Sequence, residues 1–420
     1  MPRKTLIIFI IAFILAGLIG WGVYSYLTAP TQTVGTEESG TGGFLSFLNP
    51  FAKDSSQTGN GSDLLGGGNG TQETSSPFRK ITEFAVAGGI FLNDTRSVAI
   101  PETIDASGTV IPQTETFEVA PSLRYVDKTT GHINQMYLDT KIAGKISNVT
   151  IPAIHEVIFG NNARTAIYRY LDQDGATINS FMATLGAEAG EFLQDNIVDI
   201  SISPDGTKIF YLVKDSSGIK GFIRGFEETK TTQIWTSSYS EWVSQWATPN
   251  TIFLTTKSSG YIDGAVFSLD VTKGTFKKIL GGVRGLTTLV DPTGTRLLYG
   301  VNTDLGMKMG ILNITEKTVV DLNVNGLPEK CLWNKSGTNF YCAVPESMTG
   351  GVYPDVWYQG VASFNDRFIK GNAFSGELIY FADSNNDTLV DATKLSFDIS
   401  EKTLFFINKK DSTLWALLVE

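Results

Sequence analysis

The chain has 420 residues, a formal net charge of −10, 42% hydrophobic residues and 18% charged residues, with 43 glycines. This composition excludes a largely disordered chain, because it supplies enough apolar side chains for a core and enough glycines for frequent turns. The negative charge repels phosphate backbones, so we expect no nucleic-acid partner.

An uncharged, apolar run occupies residues 5–27. As a helix it would be roughly 30 Å long, which is enough to cross the hydrocarbon core of a bilayer. Arg3 and Lys4 precede it, and positive flanking residues stay in the cytoplasm. We therefore predict a single-pass protein of the cell membrane, with a cytoplasmic tip at residues 1–4 and an extracytoplasmic remainder. A cleaved signal peptide is the alternative, although no clean A-x-A-like cleavage site follows the run.

Residues 28–79 are rich in Gly, Ser, Thr, Gln and Asn. Such a segment cannot bury enough apolar surface to offset the entropy that is lost when a chain becomes ordered. We therefore predict a flexible linker between the membrane helix and a folded domain over residues 80–420.

A strand–turn–strand unit repeats through the folded region. Its clearest copy spans residues 197–213, where alternating apolar residues flank the turn S-P-D-G at 203–206. Pro presets the first turn dihedral and Gly accepts the left-handed conformation, and D-P-T-G at 291–294 provides the same turn in a second copy. Equivalent positions in the second strand of each unit are Tyr125, Tyr168, Tyr211, Leu254, Tyr299, Cys342 and Phe406. Their separations are 43, 43, 43, 45, 43 and 64 residues.

Near-equal steps of this length, each holding several short strands, are the spacing of propeller blades. We therefore predict an all-β fold, a seven-bladed β-propeller, with six or eight blades as the alternatives. A further strand-like run at residues 81–92 precedes the first unit, and the last unit lacks a fourth strand. Since an open ring would leave an unpaired strand edge, we predict that this N-terminal run completes the last blade.

The S-P-D-G turn and the repeat spacing resemble the WD-like repeats of TolB-type propellers, which also occur in the propeller domains of prolyl-oligopeptidase-type enzymes. The resemblance covers most of residues 117–420. The chain is also similar to membrane-anchored envelope propellers of bacteria with small genomes. The resemblance implies an extracytoplasmic module that binds a protein, although no TolB partner-binding motif is matched residue by residue.

Catalytic motifs do not accompany the repeat. The sequence has no G-x-S-x-G turn, no H-E-x-x-H motif and no Walker loop, and its two histidines are His132 and His155. We therefore predict that the protein is not an enzyme and requires no cofactor. The alternative is an extracytoplasmic hydrolase or lyase with a site in the propeller funnel, which clustered carboxylates beside His132 or His155 would favour.

The two cysteines of the chain, Cys331 and Cys342, flank the turn of one degraded repeat. Their positions match Ile200 and Tyr211 of the clearest copy, which lie on either side of its turn. Directly opposed Cα atoms on antiparallel strands are roughly 4.5–5.5 Å apart, within disulfide range. We therefore predict a disulfide, with two buried free thiols as the alternative if the strand register slips.

The longest step in the repeat contains an apparent loop with Tyr353, Asp355, Trp357 and Tyr358. Rigid amphipathic rings on a loop are typical of contact surfaces. We therefore predict that these four residues bind a partner. The alternative is that Trp357 and Tyr358 fold back to cover the blade edge.

An acidic loop follows at Asp383, Asn385, Asp387 and Asp391. This spacing places oxygen ligands at loop positions 1, 3, 5 and 9, which suits calcium and resembles the calcium loops of integrin-type propeller repeats. Thr388 stands where the sharp turn usually has Gly, and a polar turn without an ion is the alternative.

These features together predict a binding or scaffolding module of the cell envelope. It is held to the membrane by its N-terminal helix and recognises a protein, peptide or glycan through propeller loops.

Overall fold

The computed structural model describes residues 77–104, 110, 111, 113–187, 190–384 and 388–419. All of them belong to one unit, which spans residues 73–420. The predicted membrane span at 5–27 and nearly all of the predicted linker at 28–79 lie outside the described residues. Within the described part of the chain, no helix is long and apolar enough to cross a membrane.

The repeated strand–turn–strand units form seven four-stranded antiparallel sheets, which confirms the predicted seven-bladed propeller. In each of the first six blades, the four strands of the sheet lie side by side in chain order. The predicted turns join the first two strands of their blades. Gly206 and Gly294 have φ values of 72° and 70°, a left-handed conformation that glycine adopts without a steric penalty.

The strands have the following bounds. Blade 1 contains β2 (Val86–Ile100), β5 (Thr114–Asp127), β6 (Ile133–Tyr137) and β7 (Ala143–Lys145). Blade 2 contains β8 (Ile154–Gly160), β9 (Thr165–Leu171), β10 (Ile178–Thr184) and β11 (Glu191–Phe192). Blade 3 contains β12 (Ile197–Ile202), β13 (Lys208–Asp215), β14 (Gly218–Gly225) and β15 (Thr232–Ser237). Blade 4 contains β16 (Trp242–Thr248), β17 (Thr251–Thr256), β18 (Asp263–Asp270) and β19 (Phe276–Arg284). Blade 5 contains β20 (Thr287–Val290), β21 (Arg296–Thr303), β22 (Gly306–Asn313) and β23 (Val319–Asn325). Blade 6 contains β24 (Cys331–Trp333), β25 (Asn339–Pro345), β26 (Asp366–Asn372) and β27 (Leu378–Asp383).

The last blade contains β28 (Ala392–Phe397), β29 (Thr403–Asn408), β30 (Leu414–Leu418) and β1 (Phe78–Lys80). A separate two-stranded hairpin, β3 (Thr103–Ile104) and β4 (Val110–Ile111), lies between β2 and β5 in the chain. Two short helical elements complete the described structure, the 3-10 turn Pro328–Lys330 and the helix α1 (Asp355–Tyr358).

The chain closes its own ring through β1. This strand pairs with β30, with Phe78 opposite Leu417, and becomes the fourth strand of the last blade. The prediction that an N-terminal strand completes the last blade is therefore confirmed, but the choice of residues 81–92 for that strand was wrong. Most of that run lies in β2, because its alternating residues pair with the long partner β5 throughout their length. Phe78 instead fills the last blade, with its ring centroid 5.5 Å from that of Phe368.

The core lies between adjacent blades, where the faces of neighbouring sheets stack. Leu298 and Ile311 of blade 5, for example, pack in one buried cluster with Trp333 and Phe340 of blade 6. Fully burying a side chain of this size contributes roughly 1.5–3 kcal/mol. Stacking of blades around the ring therefore contributes to the stability of the whole propeller.

The strand register brings the two cysteines together. Cys331 of β24 lies directly opposite Cys342 of β25, with Cα atoms 4.0 Å apart, and the structure joins the two sulfur atoms in a disulfide. Cys342 is fully buried and Cys331 nearly so. The bond therefore lies inside the packed face between blades 5 and 6.

Candidate functional site

Blade 6 carries an insertion at residues 346–365, between β25 and β26. It accounts for the long step in the repeat and contains α1. The loops at 257–262 and 304–305 also join the second strand to the third, in blades 4 and 5. Since corresponding loops of successive blades emerge on the same side of a propeller, all three lie on one face. We call residues 257–262, 304–305 and 346–365 the insertion face.

A buried ionic cluster lies beneath the insertion. Lys330, Asp366 and Asp391 are each completely buried. The Lys330 ammonium donates to Asp366 Oδ2 at 2.9 Å, to Asp391 Oδ1, and to the Ala392 carbonyl at 2.9 Å. Its three donors thus meet three acceptors, which is what a buried charge needs to be tolerated.

The cluster connects the last two blades. Lys330 ends the 3-10 turn before β24, Asp366 begins β26, and Asp391 immediately precedes β28. Burial raises the pKa of Asp366 to about 6, although Lys330 opposes the shift. Asp366 Oδ1 has no hydrogen-bond partner among the described residues. One ammonium therefore holds two carboxylates in a space from which water is excluded.

The insertion is attached to this cluster through Asp391. The Asp391 carboxylate accepts hydrogen bonds from Trp357 Nε1 and from the Phe364 backbone N–H, both at 3.1 Å. The rings of Trp357 and Phe364 stack with centroids 6.2 Å apart, and Lys330 Nζ lies 5.3 Å from the Trp357 centroid. A desolvated ammonium near an aromatic ring adds a cation–π attraction. These contacts fix the insertion against blades 6 and 7.

Polar contacts also join the insertion, the loop at 257–262 and the strands that flank residues 304–305. Asp355 Oδ2 accepts from the Gly260 N–H at 2.7 Å, and Asn302 Nδ2 donates to the Gly260 carbonyl at 3.2 Å. In the neighbouring blade, the Met307 N–H lies 3.4 Å from Met348 Sδ. The insertion face is therefore one connected surface.

Large apolar side chains are exposed on every loop of the insertion face. The exposed fractions are 70% for Tyr261, 51% for Ile262, 80% for Leu305, 42% for Tyr358 and 76% for Val361. Single exposed apolar residues are normal on a protein surface, but a concentration of them on connected loops is typical of a contact surface.

Tyr358 also lines the mouth of the central channel, together with Glu329. The cavity there is about 310 Å³ and is bounded by residues of β16 and β20, the first strands of blades 4 and 5. The Tyr358 hydroxyl donates a hydrogen bond to the Glu329 carboxylate. Desolvation by the surrounding protein raises the pKa of Glu329 to about 7, although its side chain is exposed at the surface. Desolvation and the neighbouring Glu329 charge also raise the pKa of Tyr358.

The four predicted contact residues have different positions. Tyr353 and Trp357 are buried, so the fold-back alternative describes the Trp357 ring correctly. Asp355 is half-buried and uses its carboxylate to hold Gly260, whereas Tyr358 is exposed. Buried rings cannot touch a partner without moving. The predicted contact role therefore rests on Tyr358, and Tyr353, Asp355 and Trp357 build the support beneath it.

Two of the four predicted calcium residues use their carboxylates for other contacts. Asp391 uses its carboxylate inside the buried cluster, and Asp383 forms a surface ion pair with Arg367 at 2.7 Å. Asn385 and Asp387 lie outside the described residues. Within the described residues, no group of three or more His, Cys, Asp or Glu side chains could hold a metal ion. Calcium binding at this loop stays a prediction.

Charged side chains also lie in the central channel. Glu156 of β8 reaches across to Lys394 of β28 at 2.7 Å and also pairs with Arg169 at 2.8 Å. Burial raises the pKa of Asp199 in β12 to about 6. His155 lines a cavity of about 260 Å³ beside Glu156 and Arg169. Burial disfavours the charge of Glu156, yet Lys394 and Arg169 outweigh it and lower the pKa of this carboxyl.

The two histidines differ in whether a carboxylate lies beside them. His132 lies away from these carboxylates and forms a 3.0 Å hydrogen bond with Thr150 near the surface. His155 does have a carboxylate beside it, but Glu156 is ionised and held by two cations. A carboxylate in that state is a poor proton donor.

The ionic cluster is the feature that sequence reasoning missed. Lys330 and Asp366 belong to no recognised motif, and Asp391 was assigned to calcium. One signal was available, because the shift of 131 residues that aligns Gly206 with Gly337 also aligns Asp199 with Lys330. Two ionisable residues at the same position in different blades indicate a buried polar contact at the blade boundary.

Comparison with solved structures places the chain among β-propellers. An oligogalacturonate lyase solved in complex with manganese is similar over 80% of this chain and 99% of its own, with a TM-score of 0.51 and 11% identity. TolB from Acinetobacter baumannii is similar over 60% of each chain, with a TM-score of 0.41 and 11% identity. A prolyl endopeptidase is similar over 74% of this chain and 47% of its own, with a TM-score of 0.45 and 12% identity.

These similarities concern the fold. The oligogalacturonate lyase is a β-propeller, in agreement with the fold inferred from the turn and the repeat spacing. At sequence identities near 11%, a shared fold does not imply a shared function. Comparison by sequence finds no matching protein family and no matching curated protein.

Proposed function

We propose that the protein is a binding or scaffolding module of the cell envelope, which recognises a protein, peptide or glycan through the insertion face. The observation that carries this proposal is the concentration of exposed apolar side chains on three neighbouring loops. Polar contacts hold the insertion to Gly260 and to the strands that flank residues 304–305. Exposed apolar area of this kind is stabilised when a partner covers it.

The support beneath the surface strengthens the proposal. A binding loop that must become ordered on binding loses affinity, because each immobilised side chain costs conformational entropy. Trp357 and Phe364 already hold the insertion on the buried cluster. The insertion face is therefore arranged before a partner arrives.

The alternative is an extracytoplasmic hydrolase or lyase with a site in the channel. The 260 Å³ cavity beside His155 and Glu156 is the observation in its favour. We rank it second because Glu156 is ionised between Arg169 and Lys394, which leaves His155 without a partner suited to proton transfer.

Photo-crosslinking in native membranes tests the binding role. A photoreactive amino acid at Leu305 or Val361 should give discrete adducts with a partner, because both side chains project from the insertion face. The matched control is Val319, which is 56% exposed on the outer strand of blade 5. Adducts should be absent at Val319 and should be lost at Leu305 when Ile262 is changed to Ser. Equal adducts at Val319, or none at both test positions, would overturn the proposal.

We also propose that the propeller lies outside the cytoplasm, anchored by a helix at residues 5–27. The uncharged run after Arg3 and Lys4 supports this location, and the disulfide agrees with it because disulfides persist in oxidising compartments. Protein purified from membranes without reductant should therefore have the intact mass of the oxidised form. Two thiols that react with an alkylating agent after denaturation would contradict both the location and the bond.

A further inference from the structure

A polar cavity of about 390 Å³ lies between the three loops of the insertion face. Gly260 and Tyr261 of blade 4, Asn302 of blade 5 and Gly351 of the insertion form its walls. Small-molecule sites commonly have volumes of roughly 300–1,000 Å³, so the cavity is large enough for a ligand. It is distinct from the cavity at the channel mouth, which Tyr358 and Glu329 line.

The walls of this cavity are fixed. Gly260 packs so closely on the insertion that a Cβ atom there would lie 2.3 Å from the Tyr353 carbonyl oxygen. Its N–H is bound by Asp355 and its carbonyl by Asn302. Because bonds between loops hold the walls, the cavity exists without a ligand, and binding does not have to create it.

Asn302 leaves one polar atom unpaired. Its Nδ2 donates to the Gly260 carbonyl, which sets the orientation of the amide. Its Oδ1 is buried and has no hydrogen-bond partner in the described part of the chain. A buried acceptor without a donor is unfavourable. Because this oxygen has almost no accessible surface, it belongs to the cavity wall and does not face the space that a ligand would occupy.

Two charged side chains of opposite sign also line the cavity, Arg284 and Asp304. Both are exposed, and neither side chain forms an ion pair or hydrogen bond with any residue that the structure describes, each other included. Arginine offers donors only, and an ionised aspartate offers acceptors only. A ligand that satisfies both must therefore carry donors and acceptors close together.

An aromatic face completes the set. Tyr261 lines the cavity, and its ring is largely exposed to solvent. The ring offers a flat apolar surface next to three planar polar groups, those of Asn302, Arg284 and Asp304. A pyranose ring matches this combination, because its hydroxyl groups both donate and accept while its C–H face is apolar.

From this arrangement we infer that the cavity is a saccharide-binding site. The pyranose C–H face stacks on Tyr261, hydroxyl groups donate to the Asp304 carboxylate, and hydroxyl oxygens accept from the Arg284 guanidinium. This inference rests on the proposed binding role of the insertion face and names glycan as the ligand class for one part of it.

A peptide fits this cavity less well. Peptides are commonly recognised by addition to a free strand edge or by insertion of apolar side chains into pockets. The cavity lies among loops and strand ends, and most side chains that line it are polar. The apolar residues Leu305 and Val361 remain outside it and contact other parts of a partner.

The test is binding of the full-length protein, in detergent, to immobilised saccharides that include neutral hexose, N-acetylhexosamine and hexuronic acid oligomers. Wild type should bind at least one class. Tyr261→Ala should weaken binding about tenfold, since the loss of an aromatic contact worth roughly 1.4 kcal/mol is a factor of ten. Asp304→Ala alone should weaken saccharide binding by more than Tyr261→Ala does. Tyr380→Ala is the matched control, because Tyr380 is 52% exposed on the outer strand of blade 6 and should leave binding unchanged.

No binding to any of the three saccharide classes would overturn the inference, as would equal binding by wild type and Tyr261→Ala. Adducts at Leu305 and Val361 that persist while saccharide binding is absent would identify a protein or peptide partner. That result overturns the saccharide site and leaves the proposed binding role standing. Saccharide binding with no adducts at either position would instead confine binding to the cavity and overturn the role of the apolar loops.

Discussion

Blades 3 and 6 have the same four-stranded arrangement, but the ionisable residue at one equivalent position has different partners in the two blades. Asp199 of blade 3 and Lys330 of blade 6 occupy the same position in the repeat. Asp199 accepts hydrogen bonds from the backbone N–H and the hydroxyl of Ser244, a neutral residue in the next blade. Lys330 instead binds two carboxylates, one of them immediately before the next blade.

The difference follows the connections that each blade has to hold. In blade 3 the second and third strands are joined by residues 216–217, which need no separate attachment. In blade 6 residues 346–365 occupy that place, and Asp391 binds them through Trp357 and Phe364. Hydrogen bonds from a neutral serine are enough to join blades 3 and 4. The inserted loop is instead held by a carboxylate that is paired with Lys330 and contacts the loop and the blade at once.

The strongest test of this comparison is removal of the ammonium. Lys330→Met keeps the length of the side chain but leaves Asp366 and Asp391 buried without a counter-charge. Breaking a buried ion pair in this way typically costs about 3–5 kcal/mol. The free energy of unfolding, measured by urea denaturation, should fall by that amount, and the insertion at 346–365 should become sensitive to limited proteolysis.

The matched control is Lys308→Met, the same change at an exposed lysine of blade 5. A surface substitution of this kind changes stability by about 0.5 kcal/mol or less. Comparable losses for the two variants would show that the cluster does not hold the insertion, and so would an unchanged proteolysis pattern in Lys330→Met.

Asp199 gives a smaller, pH-dependent effect in blade 3. Burial raises its pKa to about 6, so between the pKa of the unfolded chain and pH 6 the folded state binds more protons. Its contribution to stability is therefore greatest at low pH and is lost as pH rises through about 6. Asn does not titrate, so the stability of Asp199→Asn relative to wild type should rise by about 2 kcal/mol between pH 4 and pH 7.5.

Urea denaturation at the two pH values measures this difference. Asp195→Asn, a change at an exposed aspartate just before the same strand, provides the control and should run parallel to wild type. A constant difference between Asp199→Asn and wild type across this range would contradict the account of the buried carboxyl.

The fold could be predicted from the sequence because its signals are local and repeated. The turn at 203–206, the alternation around it and the spacing of Tyr125, Tyr168 and Tyr211 each depend on nearby residues. The strand that closes the ring could not be chosen correctly in this way. β1 is three residues long, and pairing with β30 depends on packing of Phe78 against Phe368, far away in the chain.

The site was predictable to a smaller extent. Aromatic residues in an inserted loop did mark the face that carries the exposed apolar side chains, but their orientation was not visible. Trp357 turns inward because its N–H finds the Asp391 carboxylate, and Asp391 is itself held by Lys330. These partners lie 34 and 61 residues apart along the chain, and no local pattern links them.

Closure by β1 also sets an order of events during folding. Phe78 and Leu417 are neighbours in one sheet although almost the whole propeller separates them in sequence. Bringing together the ends of a flexible segment of this length costs about 5 kcal/mol of loop-closure entropy in an unstructured chain. Each blade that forms shortens the flexible path between these ends, so the price of closure falls as the propeller grows. The last blade is thus favoured to form after the others. Until β30 has been synthesised, β1 has no strand to pair with in that blade.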